Sequence, residues 1–269
     1  MEIKSRTFEL LCRIRDTSPL IHNITNFVAM NSSANILLAL GASPVMAHCR
    51  DEVREMTSLA DALVLNIGTV QKDWLGSMIY AAETANGKGI PVILDPVGAG
   101  ATSFRTEAVK RIMDETDIAV LRGNASEIFS LASSGTKTKG VDSSLLVSAD
   151  IIKAAKELAL EEKCIIAISG KKDLITDGNQ VFRVANGQPI MTKVTGIGCG
   201  LSAVTAAFCA IAGGELLPAT TAAFALYGLC GDMAERISDK PGSFFVAFID
   251  ALYSVDRKEI DAFLLVNEE

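Results

Sequence analysis

Three glycines surround one thiol in Thr195-Gly196-Ile197-Gly198-Cys199-Gly200-Leu201, where a long uncharged segment begins. Alternating glycines let successive backbone N–H groups turn toward one point, and a helix starting there adds the positive end of its dipole. The combination makes a seat for an anion, with Cys199 inside it. The plain alternative is a flexible loop carrying a core cysteine, a common fate for this residue type.

A second group of chemically capable residues stands directly behind short apolar runs. Gly68 follows Leu65-Asn66-Ile67, Asp95 follows Val92-Ile93-Leu94, Arg122 follows Ala119-Val120-Leu121, and Ser169 follows Ile166-Ala167-Ile168. Ligands of open parallel sheets bind beyond the carboxyl ends of the strands, so a glycine, a carboxylate, a guanidinium and a hydroxyl at equivalent positions point to one rim. Asn124 and Glu127 have the spacing of one helical face. They read either as an N-cap with a first-turn acid, or as part of a magnesium site in which Glu127 and Asp95 hold a hydrated ion that bridges phosphates. Gly98-x-Gly100 lacks the third glycine of a dinucleotide fingerprint, Ser103 standing in its place, and no Walker A loop exists. His22 lies inside an apolar run and is assigned an internal hydrogen bond rather than a role as base.

These residues need a scaffold, and the pattern supplies one. Short runs at Pro19–Ile24, Ser43–Met46, Ala62–Ile67, Pro91–Leu94, Ile118–Leu121 and Ile165–Ile168 predict strands. Between them Phe27–Leu40, Asp51–Ala60, Lys72–Asn86, Thr106–Glu115 and Ala149–Glu161 read as helices. That alternation predicts an α/β fold with a central, mainly parallel sheet flanked by helices on both faces. Asp177-Gly178-Asn179 predicts a hairpin between Leu174–Thr176 and Val181–Val184. Three apolar helices follow the glycine turn: Leu201–Ala212, Ala219–Ile237 and Ser243–Val255. Ser133–Ser148, rich in Ser, Thr, Gly and Lys, is the candidate surface loop, a lid or a linker. No repeat or dividing linker is visible, so residues 1–269 read as a single domain.

Composition narrows the function. With 25 Lys+Arg against 32 Asp+Glu the net charge is −7, which argues against nucleic acid or an anionic membrane as general partners. The six cysteines are scattered, with no C-x-x-C pair and only two histidines, an arrangement unsuited to zinc. The start of the chain carries charges throughout and has no apolar signal core, so a cytoplasmic protein with reduced thiols is expected. The uncharged run Val194–Gly214 is long enough for a bilayer, but it opens with glycines and is rich in Ala, Thr, Ser and Cys. It predicts a helix buried between neighbours.

Taken together, the motifs resemble hydroxyethylthiazole kinase, a thiamine-salvage family of the ribokinase-like group. The resemblance runs through Pro19-Leu20-Ile21-His22-Asn23-Ile24-Thr25-Asn26, Ala34-Asn35-x-Leu37-Leu38-Ala39-x-Gly41-Ala42-Ser43-Pro44-x-Met46, Leu94-Asp95-Pro96-Val97-Gly98-Ala99, Arg122-Gly123-Asn124-x-x-Glu127 and Thr195-Gly196-x-Gly198-Cys199. It implies a ribokinase-like fold and transfer of the ATP γ-phosphoryl group to the primary alcohol of 4-methyl-5-(2-hydroxyethyl)thiazole, with Mg2+. It implies that Arg122 and Ser169 bind ATP phosphates, and that Asp95 and Glu127 organise the metal. Met46 and Gly196 would contact the thiazole, helped by Asn26 and Gly68, and Cys199, Gly196 and Gly198 would carry catalysis. A homotrimer with sites at subunit boundaries is implied as well. Ser169 stands where many relatives have threonine, and Ile197 fills a position more often small and polar.

Related sugar kinases place an aspartate where this chain has Cys199. A thiol of ordinary pKa, about 8.5, is only a few per cent thiolate at neutral pH. Cys199 is therefore either an assisting base that takes the alcohol proton late, or a group that only binds the alcohol. The glycine N–H groups, Arg122 and the metal should carry most of the rate. Cys164, Cys209, Cys230, Phe224 and Tyr227 read as core. Rival readings are a kinase for a related hydroxymethyl heterocycle, a non-catalytic thiazole or nucleotide binder and, more distantly, a nicotinamide-dependent oxidoreductase.

Overall fold

A computed structural model describes residues 2–132 and 149–269, so Ser133–Ser148, the candidate lid or linker, lies outside the described residues. The chain opens with α1 (Glu2–Thr17), then β1 (Leu20–Ile24), α2 (Met30–Leu40), β2 (Ser43–Val45), α3 (Val53–Leu59) and β3 (Ala62–Asn66). Next come α4 (Lys72–Lys88), β4 (Val92–Asp95), α5 (Ser103–Glu115), β5 (Val120–Asn124), α6 (Ala125–Ala132), α7 (Ala149–Glu162) and β6 (Ile165–Ser169). The hairpin β7 (Asp173–Thr176) and β8 (Val181–Val184) leads through a 3-10 turn at Pro189–Lys193 into α8 (Ile197–Ala210). The chain then runs through α9 (Leu216–Glu235), α10 (Pro241–Ser254), α11 (Arg257–Phe263) and β9 (Val266–Glu268).

Among the described residues nine strands join one sheet in the order β2-β1-β3-β4-β5-β6-β7-β8-β9. The pairings from β2 to β6 are parallel, and β7, β8 and β9 add an antiparallel edge. The chain leaves β1 first for β2 and then returns to β3 on its other side. That reversal splays the following loops and opens a crevice at the carboxyl ends, where this fold class binds ligands.

Helices cover both faces, as the alternation predicted. On one face Leu10, Ile14, Ile36, Phe208, Phe224 and Phe248 belong to a continuous core. On the other, Leu65, Trp74, Met78, Val109, Ile112 and Ile168 form a second. Every residue of α8 from Gly200 to Cys209 is buried, which accounts for the uncharged run: a helix apolar all round is one surrounded by protein. Among the described residues no helix is long and apolar enough to cross a membrane. Cys164, Cys209 and Cys230 are buried, as expected of core thiols.

Four differences from the sequence reading have physical causes. Helix α1 was missed because its charges dominate the eye, yet Thr7, Leu10, Leu11 and Ile14 form a fully buried stripe at helical spacing. Helix α11 and the three-residue β9 were also missed. The former starts at Asp256, whose carboxylate accepts from the N–H groups of Lys258 and Glu259, while the latter is too short to show alternation. Strands β4, β5 and β6 outlast their apolar runs, because the backbone ladder continues without apolar side chains. Asp95 and Ser169 are thus last strand residues and Arg122 lies within β5. Finally α8 begins at Ile197, four residues earlier than expected, so Cys199 stands in its first turn.

Candidate active site

The carboxyl rim brings nine of the ten singled-out residues into one connected region. Gly196 is the N-cap of α8 with φ +84°, a left-handed conformation suited to glycine, and a Cβ there would collide with the Ser32 hydroxyl of α2. The turn is fixed from below by Tyr227 of α9, whose buried hydroxyl donates to the Ile197 carbonyl at 2.7 Å. The expectation that Tyr227 is a packing residue therefore holds, with a positioning bond added. The Arg122 guanidinium lies over Gly198, about 3.7 Å from where a Cβ would stand.

Arg122 is buried and donates through Nη2 to Ser169 Oγ at 2.8 Å, while Nη1 stands 3.6 Å from Asp95 Oδ2. Its Nε has no partner among the described residues. A buried, incompletely paired guanidinium beside N–H groups at a helix start is a strong anion attractor. The Ser169–Gly170 end of β6 is held by Asp173, which accepts from the Gly170 N–H at 2.9 Å. Burial raises the Asp173 carboxyl to about 7, against the opposing pull of that N–H and of Arg122.

Asp95 is fully buried. Its Oδ2 accepts from Asn66 Nδ2 at 2.8 Å and from Ser202 Oγ at 2.7 Å, whereas Oδ1 has no partner among the described residues. Burial raises its pKa to about 6, with Arg122 and Ser202 pulling it down and the Glu127 charge pushing it up. Glu127 is held by two backbone donors: Oε1 accepts from Gly98 N at 2.9 Å and Oε2 from Asn124 N at 2.8 Å. Asn124 Oδ1 in return accepts from Glu127 N at 2.9 Å, a reciprocal capping box at the start of α6. The cap reading of Asn124 and Glu127 is therefore right, and it still leaves Glu127 facing the Asp95 loop.

The rest of the network lies across the same crevice. Asn26, buried just beyond β1, donates through Nδ2 to Asn66 Oδ1 at 2.8 Å and to Cys199 Sγ at 3.2 Å. Gly68 donates its N–H to Asn66 Oδ1, and a Cβ on Gly68 would press into the Asn26 amide. Burial and the Asp95 charge push the Cys199 thiol up, with Asn26 and Arg122 opposing, so the free site holds a neutral thiol. Met46 stands one residue past the edge strand β2, on this rim but outside the hydrogen-bonded network. His22 is withdrawn, as expected: its Nε2 meets the Ala47 carbonyl and its Nδ1 the Thr57 hydroxyl, and burial lowers its pKa.

Sequence reasoning missed Asn66, Ser202 and Arg105. Asn66 and Ser202 are polar residues inside apolar runs, a signal that could have been read. Arg105 left no such signal; its guanidinium donates to the carbonyls of Val97 at 3.1 Å and Gly68 at 2.8 Å.

Comparison with known proteins agrees with this geometry. The sequence profile of the Hydroxyethylthiazole kinase family matches residues 11–258. A hydroxyethylthiazole kinase of Desulfotalea psychrophila is 52% identical over 94% of this chain and 92% of its own. The structure of hydroxyethylthiazole kinase protein from Pyrococcus horikoshii superposes with a TM-score of 0.90 at 42% identity, covering 98% of this chain and 99% of the other. A ribokinase-like superfamily protein from Enterococcus faecalis shares the fold alone, with a TM-score of 0.61 at 14% identity over 93% and 88%. On its sequence match, its near-full-length relatives and its ribokinase-like fold, the chain belongs to the hydroxyethylthiazole kinase family.

Proposed function

We propose that the protein transfers the γ-phosphoryl group of ATP to the primary alcohol of 4-methyl-5-(2-hydroxyethyl)thiazole, and that the start of α8 is where the two substrates meet. One observation carries this reading. The helix start lies under the Arg122 guanidinium on one side, and its Cys199 accepts a hydrogen bond from Asn26 on the other. A phosphate seat and an alcohol seat thereby share one turn.

Phosphoryl transfer is mainly positioning and charge stabilisation. Arg122 and Ser169 hold phosphate oxygens, and the N–H groups of the Gly196–Gly198 turn face the moving group. These donors are fixed before reaction, so little reorganisation is needed. Asn26, Gly68 and Met46 border the thiazole. Cys199 binds the alcohol as a neutral thiol, because Asp95 and burial both oppose its ionisation. The alcohol oxygen forms the new O–P bond as the bond from the γ-phosphorus to ADP breaks, and its proton leaves late, to an oxygen of the transferred phosphoryl group.

The residues present fit magnesium. Asp95 keeps a buried, unpartnered oxygen, and the Glu127 charge acts on the same carboxylate. Among the described residues no three His, Cys, Asp or Glu side chains form a metal cluster. Asp95 and Glu127 would hold the magnesium ion; bound there, it would neutralise phosphate charge.

We assign a trimer on the family resemblance, and Phe27 and Val28, which follow Asn26 yet are 56% and 62% exposed, would supply the apolar patch for a subunit boundary beside the site. Six free thiols accord with a reducing, cytoplasmic setting. Release of ADP by purified protein with magnesium and a panel of acceptors tests the reading: the thiazole alcohol should be strongly preferred over a hydroxymethylpyrimidine. Equal rates with both, or with no acceptor, would contradict it.

A further inference from the structure

We propose that Arg105 is a positioning residue that couples the thiazole side of the site to the metal side. It stands in the first turn of α5, where the Thr102 hydroxyl caps its own N–H. Its side chain turns back over the preceding loop. One arm of the guanidinium donates to the carbonyl of Gly68, behind β3, and the other to the carbonyl of Val97, behind β4. The planar fork of arginine can hold two carbonyls at a fixed separation, which a lysine ammonium on a single flexible stem cannot.

Each of those carbonyls belongs to a loop with a second grip on the site. Gly68 packs on Asn26 and bonds to Asn66, and Asn26 bonds to Cys199. Gly98, next to Val97, donates to Glu127. Gly98 has φ +77°, and a Cβ on it would collide with the Arg105 guanidinium, so this glycine is explained by the arginine lying over it. A continuous path of contacts thus runs from Cys199 through Asn26, Gly68, Arg105 and Gly98 to Glu127. A displacement of either loop is transmitted to the other through one side chain.

The inference rests on thiazole binding beside Asn26 and Gly68 and metal binding at Glu127, and its test has one arm that needs neither ligand. In the free protein, hydrogen exchange by NMR should show the Gly98 amide opening at least tenfold faster in Arg105→Met than in the wild type. Amides in the middle of α5 should keep their protection. In the second arm, calorimetry measures the thiazole alcohol with and without magnesium and a non-hydrolysable ATP analogue. Wild type should bind it at least fivefold tighter with the nucleotide present, Arg105→Met should lose that ratio, and Arg105→Lys should keep only part of it. A merely structural role would weaken both affinities alike and leave the ratio unchanged. An unaltered Gly98 amide overturns the proposal whatever binds, as does an unaltered ratio. Absence of thiazole binding in the wild type would instead sink the functional reading, leaving the exchange arm to decide the role of Arg105.

Discussion

Two aspartates in this molecule are gripped in the same way and serve different ends. Asp95 accepts from the Asn66 amide at 2.8 Å, and Asp232 from the Asn186 amide at 2.8 Å. The second oxygen of Asp232 takes the Gly187 N–H and the Gln188 amide, both at 3.0 Å, so this carboxylate is saturated and ties the segment after β8 to α9. Asp95 is more deeply buried, and its second oxygen has no partner among the described residues. A saturated carboxylate is architecture, whereas one buried with an unpartnered oxygen costs stability and is suited to binding a further group.

The largest break in that comparison should come from Asp95→Asn, which keeps the shape and removes the charge. Phosphorylation of the thiazole should fall at least about a thousandfold in kcat/KM, roughly 4 kcal/mol of transition-state stabilisation. Steady-state kinetics with the folded variant would show it, and activity within tenfold of wild type would refute the role of Asp95.

The next effect is on stability. Asp232→Ala leaves three donors, from Asn186, Gly187 and Gln188, without their acceptor, and should cost about 3 kcal/mol in urea unfolding. The surviving folded protein should turn over within a few-fold of wild type. A large loss of kcat without loss of stability would erase the distinction between the two aspartates.

Asp95→Asn should have the opposite sign in stability. The folded carboxyl titrates near 6, and an unfolded one near 3.9. Between those values the unfolded chain has released its proton while the folded one holds it, so the metal-free wild type loses stability as pH rises. Asparagine removes that loss. The difference in melting temperature should be near zero at pH 4 and grow to a plateau above pH 7, worth on the order of 3 kcal/mol. Asp173 titrates in the same direction, but it is present in both proteins and cancels. An asparagine variant that melts earlier at pH 7.5 would contradict the account.

Smallest is Cys199→Ala. A neutral thiol that only binds the alcohol should cost about tenfold in kcat/KM, roughly 1.4 kcal/mol, and Cys199→Asp should remain active. A thousandfold loss in the alanine variant would make the thiol a base after all.

The sequence shows one of these aspartates more readily than the other. Asp95 stands behind Val92-Ile93-Leu94, and the rule for parallel sheets places it at the rim with Arg122 and Ser169. Gly196 is legible because its left-handed backbone is a local need, whereas Gly200 answers to Ile36 and Tyr227 of other helices, a packing demand the sequence does not show. Asp232 lies within an apolar helix whose partners come from a segment 44 to 46 positions earlier, and no local pattern encodes that meeting. The grips on Asp95 from Asn66 and Ser202 are half legible, as polar residues inside apolar runs whose direction the sequence does not give. Arg105 is illegible, because it acts by turning back over its own loop. Helix α1 was in plain view as a stripe of Thr7, Leu10, Leu11 and Ile14, hidden only by the charges on its other face.

The central claim is that the start of α8 passes a phosphoryl group from ATP to the thiazole alcohol. Phosphorus-31 NMR of the purified protein with ATP, magnesium and hydroxyethylthiazole tests it most directly. The account expects a new phosphate monoester resonance growing in equal amount with ADP. ADP with inorganic phosphate and no ester, or ATP that remains intact, would contradict it.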